Sequence, residues 1–136
     1  SEPPGWTEQP HEAGTVLVVE DEETVRLLAS RILRTRGYRV LEAREAAEAF
    51  RLVREHAGRI DLLVTDIVMP GLGGPALVER LLAAMPGLRV LYITGYAEEA
   101  IERRGALPAG GALLEKPFTA QQLADRVRMA LANTET

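Results

Sequence analysis

Ile60-Asp61-Leu62-Leu63-Val64-Thr65-Asp66-Ile67-Val68-Met69-Pro70 is the stretch around which the rest of the chain reads. Its apolar run, Leu62 to Val64, is followed by turn-prone residues, Met69-Pro70-Gly71 and then Gly73-Gly74-Pro75. A short apolar run closed off by Pro and Gly reads as a buried strand. The run ends in a lone carboxylate, Asp66. Open α/β sheets carry their chemistry at the carboxyl ends of strands. Asp66 is therefore the candidate nucleophile.

Working outward, Thr15-Val16-Leu17-Val18-Val19 is β-branched and apolar and reads as the first strand, stopping at Glu20-Asp21-Glu22-Glu23. Val25, Leu28, Ala29, Ile32 and Leu33 then recur at helical spacing, with Arg26, Arg31 and Arg34 assigned to other faces. Gly37 stands where a helix ends on a left-handed glycine. Tyr38 to Leu41 reads as strand two, and Arg44 to His56 as helix two with Ala46, Ala49, Phe50 and Val53 inward. After Asp66, a third helix starts near Pro75 and turns Val78, Leu81, Leu82 and Met85 inward. Strand four is Arg89 to Ile93, ending at Thr94-Gly95. A short helix is expected over 97–104 and a loose segment over 105–111. Strand five is Ala112 to Glu115, ending at Lys116-Pro117. The last helix opens on a capping box, Thr119 with Gln122, and carries Leu123, Val127, Ala130 and Leu131. Strands alternating with helices imply a parallel sheet covered on both faces and joined by right-handed crossovers.

The 136 residues suit one core, and the apolar (46%) and charged (26%) fractions are those of a globular chain. A formal net charge of −4 argues against nucleic acid as partner. The absence of cysteine excludes disulfides, thiolate metal sites and a cysteine nucleophile, and fits a cytoplasmic location. No apolar run is long enough to cross a bilayer, so no membrane contact is expected. Residues 1–14, with Pro3, Pro4, Gly5, Pro10 and Gly14, have linker composition. Because the chain starts at Ser1, we expect an excised fragment or a tag remnant there. The domain proper is expected over 15–132, with a polar tail over 133–136. His11 lies in the linker and His56 at a helix end, without a second histidine at ligand spacing.

In a parallel sheet all carboxyl ends lie along one edge. Here they carry Glu20 and Asp21, then Asp66, Thr94 and Lys116. Clustered carboxylates suit Mg²⁺, a hard cation that takes oxygen ligands. Lys116 adds a second cation for a transferred phosphoryl group, and Thr94 a hydroxyl donor. Singly, each has a bland explanation: acids favour a helix entry, Asp caps turns, Lys decorates surfaces. Their joint occurrence at the ends of strands one, three, four and five favours phosphoryl transfer.

Val16-Leu17-Val18-Val19-Glu20-Asp21, Thr65-Asp66-Ile67-Val68-Met69-Pro70-Gly71, Ile93-Thr94-Gly95 and Glu115-Lys116-Pro117-Phe118 fall in an order and spacing that resembles the receiver domain of two-component response regulators. The resemblance covers about 15–131. It implies a doubly wound α/β fold, a five-stranded parallel sheet of flavodoxin-like order 2-1-3-4-5. It makes Asp66 the phosphoacceptor, places Glu20, Asp21, Asp66 and the Val68 carbonyl around Mg²⁺, and makes Thr94 and Lys116 a switch pair. A cis Lys116–Pro117 bond belongs to the same expectation. Such a domain is not an enzyme in its own right. Its implied partner is a histidine kinase or phosphotransfer domain, in trans or in the same chain, and its output is the surface of helix four, strand five and helix five. A homodimer is compatible with it. Thr94-Gly95-Tyr96-Ala97 and the stretched 105–111 loop are similar to receivers at the C-terminus of hybrid sensor histidine kinases. One position departs: Leu113 stands where the family often has an aromatic switch residue, leaving Tyr96 as the nearest alternative reporter. The competing reading is a receiver-like interaction module that is never phosphorylated. A flavin-binding protein of the same topology is disfavoured, since Glu20 to Glu23 would repel a phosphate after strand one.

Overall fold

Five apolar segments pair in parallel in one sheet, in the order 2-1-3-4-5 by position in the chain, as expected. The computed structural model describes residues 14–56, 58–95 and 112–132. The strands are β1 (Thr15–Val19), β2 (Arg39–Ala43), β3 (Leu62–Asp66), β4 (Arg89–Thr94) and β5 (Leu113–Glu115). The described helices are α1 (Glu23–Thr35), α2 (Ala46–Glu55), α3 (Gly74–Ala84) and α4 (Ala120–Ala132). The short helix expected over 97–104, Tyr96, the linker up to residue 13 and the tail from 133 lie outside the described residues.

Alternation along the strands divides the core into two layers. Leu17, Val19, Leu63, Val90 and Tyr92 face Ala49, Val53, Leu77 and Leu81 of α2 and α3. Val16, Val18, Leu62, Val64, Leu91 and Ile93 face Ala29, Leu33, Leu123 and Val127 of α1 and α4. The central strands β1 and β3 are buried on both faces, which is why they read as unbroken apolar runs rather than alternating ones. Each such Val or Leu contributes about 1.5–3 kcal/mol by leaving water.

Helix ends follow their local chemistry. Gly37, at φ 95°, takes the left-handed turn after α1, and Tyr38 N–H donates to Leu33 O (3.1 Å). The capping box of α4 forms as expected: Thr119 N–H donates to Gln122 Oε1 (2.9 Å) and Gln122 N–H to Thr119 Oγ1 (3.0 Å). His56 caps its own helix, its ring Nδ1 lying 3.0 Å from Leu52 O.

Three expectations need correction. β2 continues to Ala43, because β1 extends its ladder through Val18 opposite Glu42 and Val19 opposite Ala43. β4 runs one residue past Ile93, to Thr94, which pairs in register with Glu115. On α1, Leu28 is 46% exposed whereas Arg26 is only 7% exposed. Periodicity ranks residues by type and placed Arg26 outside. Its guanidinium is buried because it finds two oxygen partners there.

Candidate functional site

The carboxyl ends of β1, β3, β4 and β5 surround a cleft of about 680 Å³ lined by Glu20, Asp21, Glu22, Asp66, Val68, Met69, Pro70, Gly95 and Lys116. Asp66 closes β3 and is 6% exposed. The main chain of Asp66 and the next residue, Ile67, is held by three hydrogen bonds. Ile67 N–H donates to Ile93 O (3.0 Å), Gly74 N–H to Ile67 O (2.9 Å) and Thr65 Oγ1 to Asp66 O (3.0 Å). Gly71, at φ 78°, lets the chain turn back so that α3 starts against the end of β3.

Lys116 enters from β5. Its N–H donates to Thr94 O (2.7 Å), tying it to the end of β4, and the Lys116–Pro117 bond is cis as expected. Its ammonium lies 3.1 Å from Asp66 Oδ2, 3.2 Å from Glu20 Oε1 and 4.0 Å from Glu22 Oε1. Burial alone would lower the Lys116 pKa. The hydrogen bond and negative charge of Asp66, aided by Glu20, outweigh it and hold the pKa above its ordinary value.

Glu20 is 1% exposed, an unusual place for a carboxylate. Burial raises its pKa from 4.5 to about 7; the Glu22 N–H (3.0 Å from Oε2) and Lys116 pull it down, and the Asp66 charge pushes it up. Asp21 is exposed, yet its carboxylate, that of Glu20 and that of Asp66 bring oxygens within 4.8 Å of one another. Glu20 Oε1 is buried and makes no well-directed hydrogen bond, although Lys116 Nζ stands 3.2 Å away. An all-oxygen donor set with one oxygen lacking a directed donor fits a hard divalent cation. One ammonium does not balance three carboxylates, which favours the same occupant.

Of the residues singled out from sequence, Glu20, Asp21, Asp66, Val68 and Lys116 line this one cleft. Thr94 is 3% exposed and precedes Gly95, which lines it too. Two residues escaped the sequence reading. Glu22 contributes both its amide and its carboxylate to the group. Tyr92, fully buried, stands directly across the ladder from Leu113, so an aromatic does sit beside the position expected to lack one. Burial, with the nearby Glu79 charge adding to it, holds the Tyr92 hydroxyl well above the ordinary range, so it stays protonated.

Residues 16–128 match the sequence profile of the response regulator receiver domain. The chain belongs to that family. This receiver domain is 40% identical over 119 residues to the sensor kinase CckA of Brucella abortus, covering 88% of this chain and 13% of that protein. It is 31% identical over 116 residues to the response regulator receiver protein CpdR of the same organism, covering 85% of this chain and 95% of that one. Among solved structures it superposes on the receiver domain of the hybrid histidine kinase CckA with a TM-score of 0.75 and 41% identity, over 87% of this chain and 99% of that one. It is thus a receiver domain of the two-component type, similar to a hybrid-kinase receiver. No helix among the described residues is long and apolar enough to cross a membrane.

Proposed function

We propose that this receiver domain accepts a phosphoryl group on Asp66 from a phosphohistidine of a histidine kinase or phosphotransfer partner. One carboxylate oxygen of Asp66 attacks phosphorus in line. The P–N bond to the donor imidazole breaks, the imidazole leaves with that electron pair and takes up a proton, and an acyl phosphate remains. Lys116, already 3.1 Å from Asp66 Oδ2, stabilises charge on the transferred oxygens. Thr94 donates its hydroxyl to one of them. Glu20, Asp21, Asp66 and the Val68 carbonyl would hold Mg²⁺, which when bound offsets the charge of the phosphoryl oxygens. The domain's own chemistry is then limited to accepting this group and losing it to water.

Output follows from the main chain. Lys116 N–H is bonded to Thr94 O, so a shift of Thr94 toward a phosphoryl group moves the start of the β5–α4 connection with it. The signalling surface is the 97–104 segment with β5 and α4, biased between two states. The reading extends to a domain over 15–132 that works in the cytoplasm, as part of a hybrid kinase or beside one.

The observation that carries this reading is the Lys116 ammonium bridging Asp66 and Glu20, with three carboxylates gathered within 4.8 Å. Acetyl phosphate or beryllofluoride with Mg²⁺ tests it. Intact-mass analysis should show a phosphorylated wild type, and amide NMR signals over 94–95 and 113–118 should move. Asp66→Asn should lose both responses. If Asp66→Asn responds as wild type does, Asp66 is not the acceptor. If the wild type binds no Mg²⁺ and takes up no phosphate, the unphosphorylated interaction module is the correct reading.

A further inference from the structure

Glu20 is held by its main chain as firmly as by its side chain. Its N–H donates to Ala43 O of β2 (3.0 Å), and its carbonyl accepts from Arg26 Nη1 (3.0 Å). The Arg26 guanidinium is in turn held by Glu42 of β2, with Nε 3.4 Å from Oε1. Glu42 Oε2 lies 3.1 Å from Arg34 Nη1, and Arg34 Nη2 donates to Val40 O (3.1 Å). An arginine that is 7% exposed is costly unless it is paired and hydrogen-bonded, as Arg26 is by Glu42 and the Glu20 carbonyl. Fixing the Glu20 carbonyl fixes the plane of the Glu20–Asp21 peptide, because that plane is rigid. It thereby fixes the N–Cα bond from which the Asp21 side chain springs. Asp21 is exposed. One oxygen of its carboxylate nonetheless lies within 4.8 Å of oxygens of Glu20 and Asp66.

We propose that Arg26, steadied by Glu42, is a positioning residue for the cation-binding acids: it locks the Glu20–Asp21 peptide so that both carboxylates face Asp66. The inference rests on the reading of the cleft as a Mg²⁺ site. Arg26 touches neither the ion nor the phosphoryl group. It acts through the main chain of one ligand and the placement of the next. A fork is required, since one arm meets a carbonyl on the β1–α1 connection and the other a carboxylate on β2. A lysine ammonium keeps the charge but cannot span both in that geometry.

The test compares wild type, Arg26→Lys and Arg26→Met by calorimetric Mg²⁺ titration, well below each unfolding temperature. Arg26→Met leaves Glu42 paired with Arg34, so no carboxylate is stranded. Both variants should bind Mg²⁺ about tenfold more weakly, the usual scale for a group that orients a ligand. In metal-free protein, hydrogen exchange at the Asp21 and Glu22 amides should quicken. With acetyl phosphate, the Mg²⁺ concentration for half-maximal phosphorylation should rise by the same factor, while the rate at saturating Mg²⁺ is retained. A purely structural role predicts lower unfolding temperatures with unchanged Mg²⁺ affinity, and that result overturns the proposal. Wild-type affinity in Arg26→Lys overturns it too, because charge alone would then suffice. Should Arg26→Met not fold, Arg26→Lys decides by the same criterion. A wild type that binds no Mg²⁺ sinks both this inference and the reading of the cleft. Equal affinities in wild type and variants sink this inference alone.

Discussion

Gly74 lies against the main-chain carbonyl of Asp66: a Cβ built on Gly74 would stand 2.2 Å from that oxygen and 3.1 Å from its carbon. The obstacle is backbone at the end of β3, held in turn by the Ile67–Ile93 hydrogen bond. It cannot yield without moving the acceptor carboxylate. Gly74→Ala should therefore destabilise the domain by about 1–3 kcal/mol, as overpacking does. For a domain of this size that lowers the unfolding temperature by roughly 4 °C per kcal/mol. Phosphorylation by acetyl phosphate should fall as well. Gly73→Ala, whose Cβ would meet Ile67 O at 3.1 Å, is the milder comparison. A Gly74→Ala protein that melts and reacts like wild type would show that this approach is not tight.

Glu20 makes stability depend on pH. Its pKa lies at about 7 in the fold and at the ordinary 4.5 when unfolded, so the fold favours the protonated form. Between these two values the unfolded state binds fewer protons, and stability falls as pH rises. Above about pH 7 the loss is complete, on the order of 3 kcal/mol in metal-free protein. Urea unfolding from pH 5 to pH 8 without metal should show the decline, and Glu20→Gln should flatten it. Mg²⁺ should reverse the decline, since the ion favours the ionised carboxylate. Parallel profiles for Glu20→Gln and wild type would assign the pH dependence elsewhere.

Removing the bridging ammonium should have two opposite effects. Lys116→Gln leaves Glu20 and Asp66 without their shared cation, and losing this half-buried partner costs about 1–3 kcal/mol in metal-free protein. The same change removes a competitor for the carboxylates, so Mg²⁺ should bind more tightly than to wild type. Added Mg²⁺ should then recover most of the lost stability. Calorimetry and urea unfolding read the two effects separately. Unchanged values in both would mean that Lys116 does not carry the charge of these acids.

Ser30 on α1 is fully buried, and its Oγ has no hydrogen-bond partner among the described residues. A buried hydroxyl without a partner is a net cost. Ser30→Ala should be neutral or stabilising by about 1 kcal/mol, with helix propensity acting in the same direction. A clear loss of stability in urea unfolding would mean that the hydroxyl is satisfied in solution.

Much of the fold was legible because local signals agreed with the global answer. Val16 to Val19 and Leu62 to Val64 are buried on both faces, and their unbroken apolar character announced central parallel strands. Gly37 and the Thr119–Gln122 pair marked helix ends through backbone chemistry that acts within a few residues. The exposed Leu28 and the buried Arg26 ran against this legibility. Hydrophobic period describes a helix facing a uniform apolar surface, and α1 instead meets a carbonyl and a carboxylate at one point.

The sequence by itself determined the alternation of strands and helices, and therefore that Glu20, Asp21, Asp66, Thr94 and Lys116 lie at one sheet edge. That follows because a parallel sheet brings every strand's carboxyl end to the same side, whatever the distances. Only the tertiary structure decided that the Lys116 ammonium spans Asp66 and Glu20 at 3.1 and 3.2 Å, and that Glu20 is buried enough to raise its pKa to about 7. It also decided that Arg26 turns inward to the Glu20 carbonyl. Those features join residues far apart in the chain, and charge placement depends on distance and burial, which no local pattern encodes.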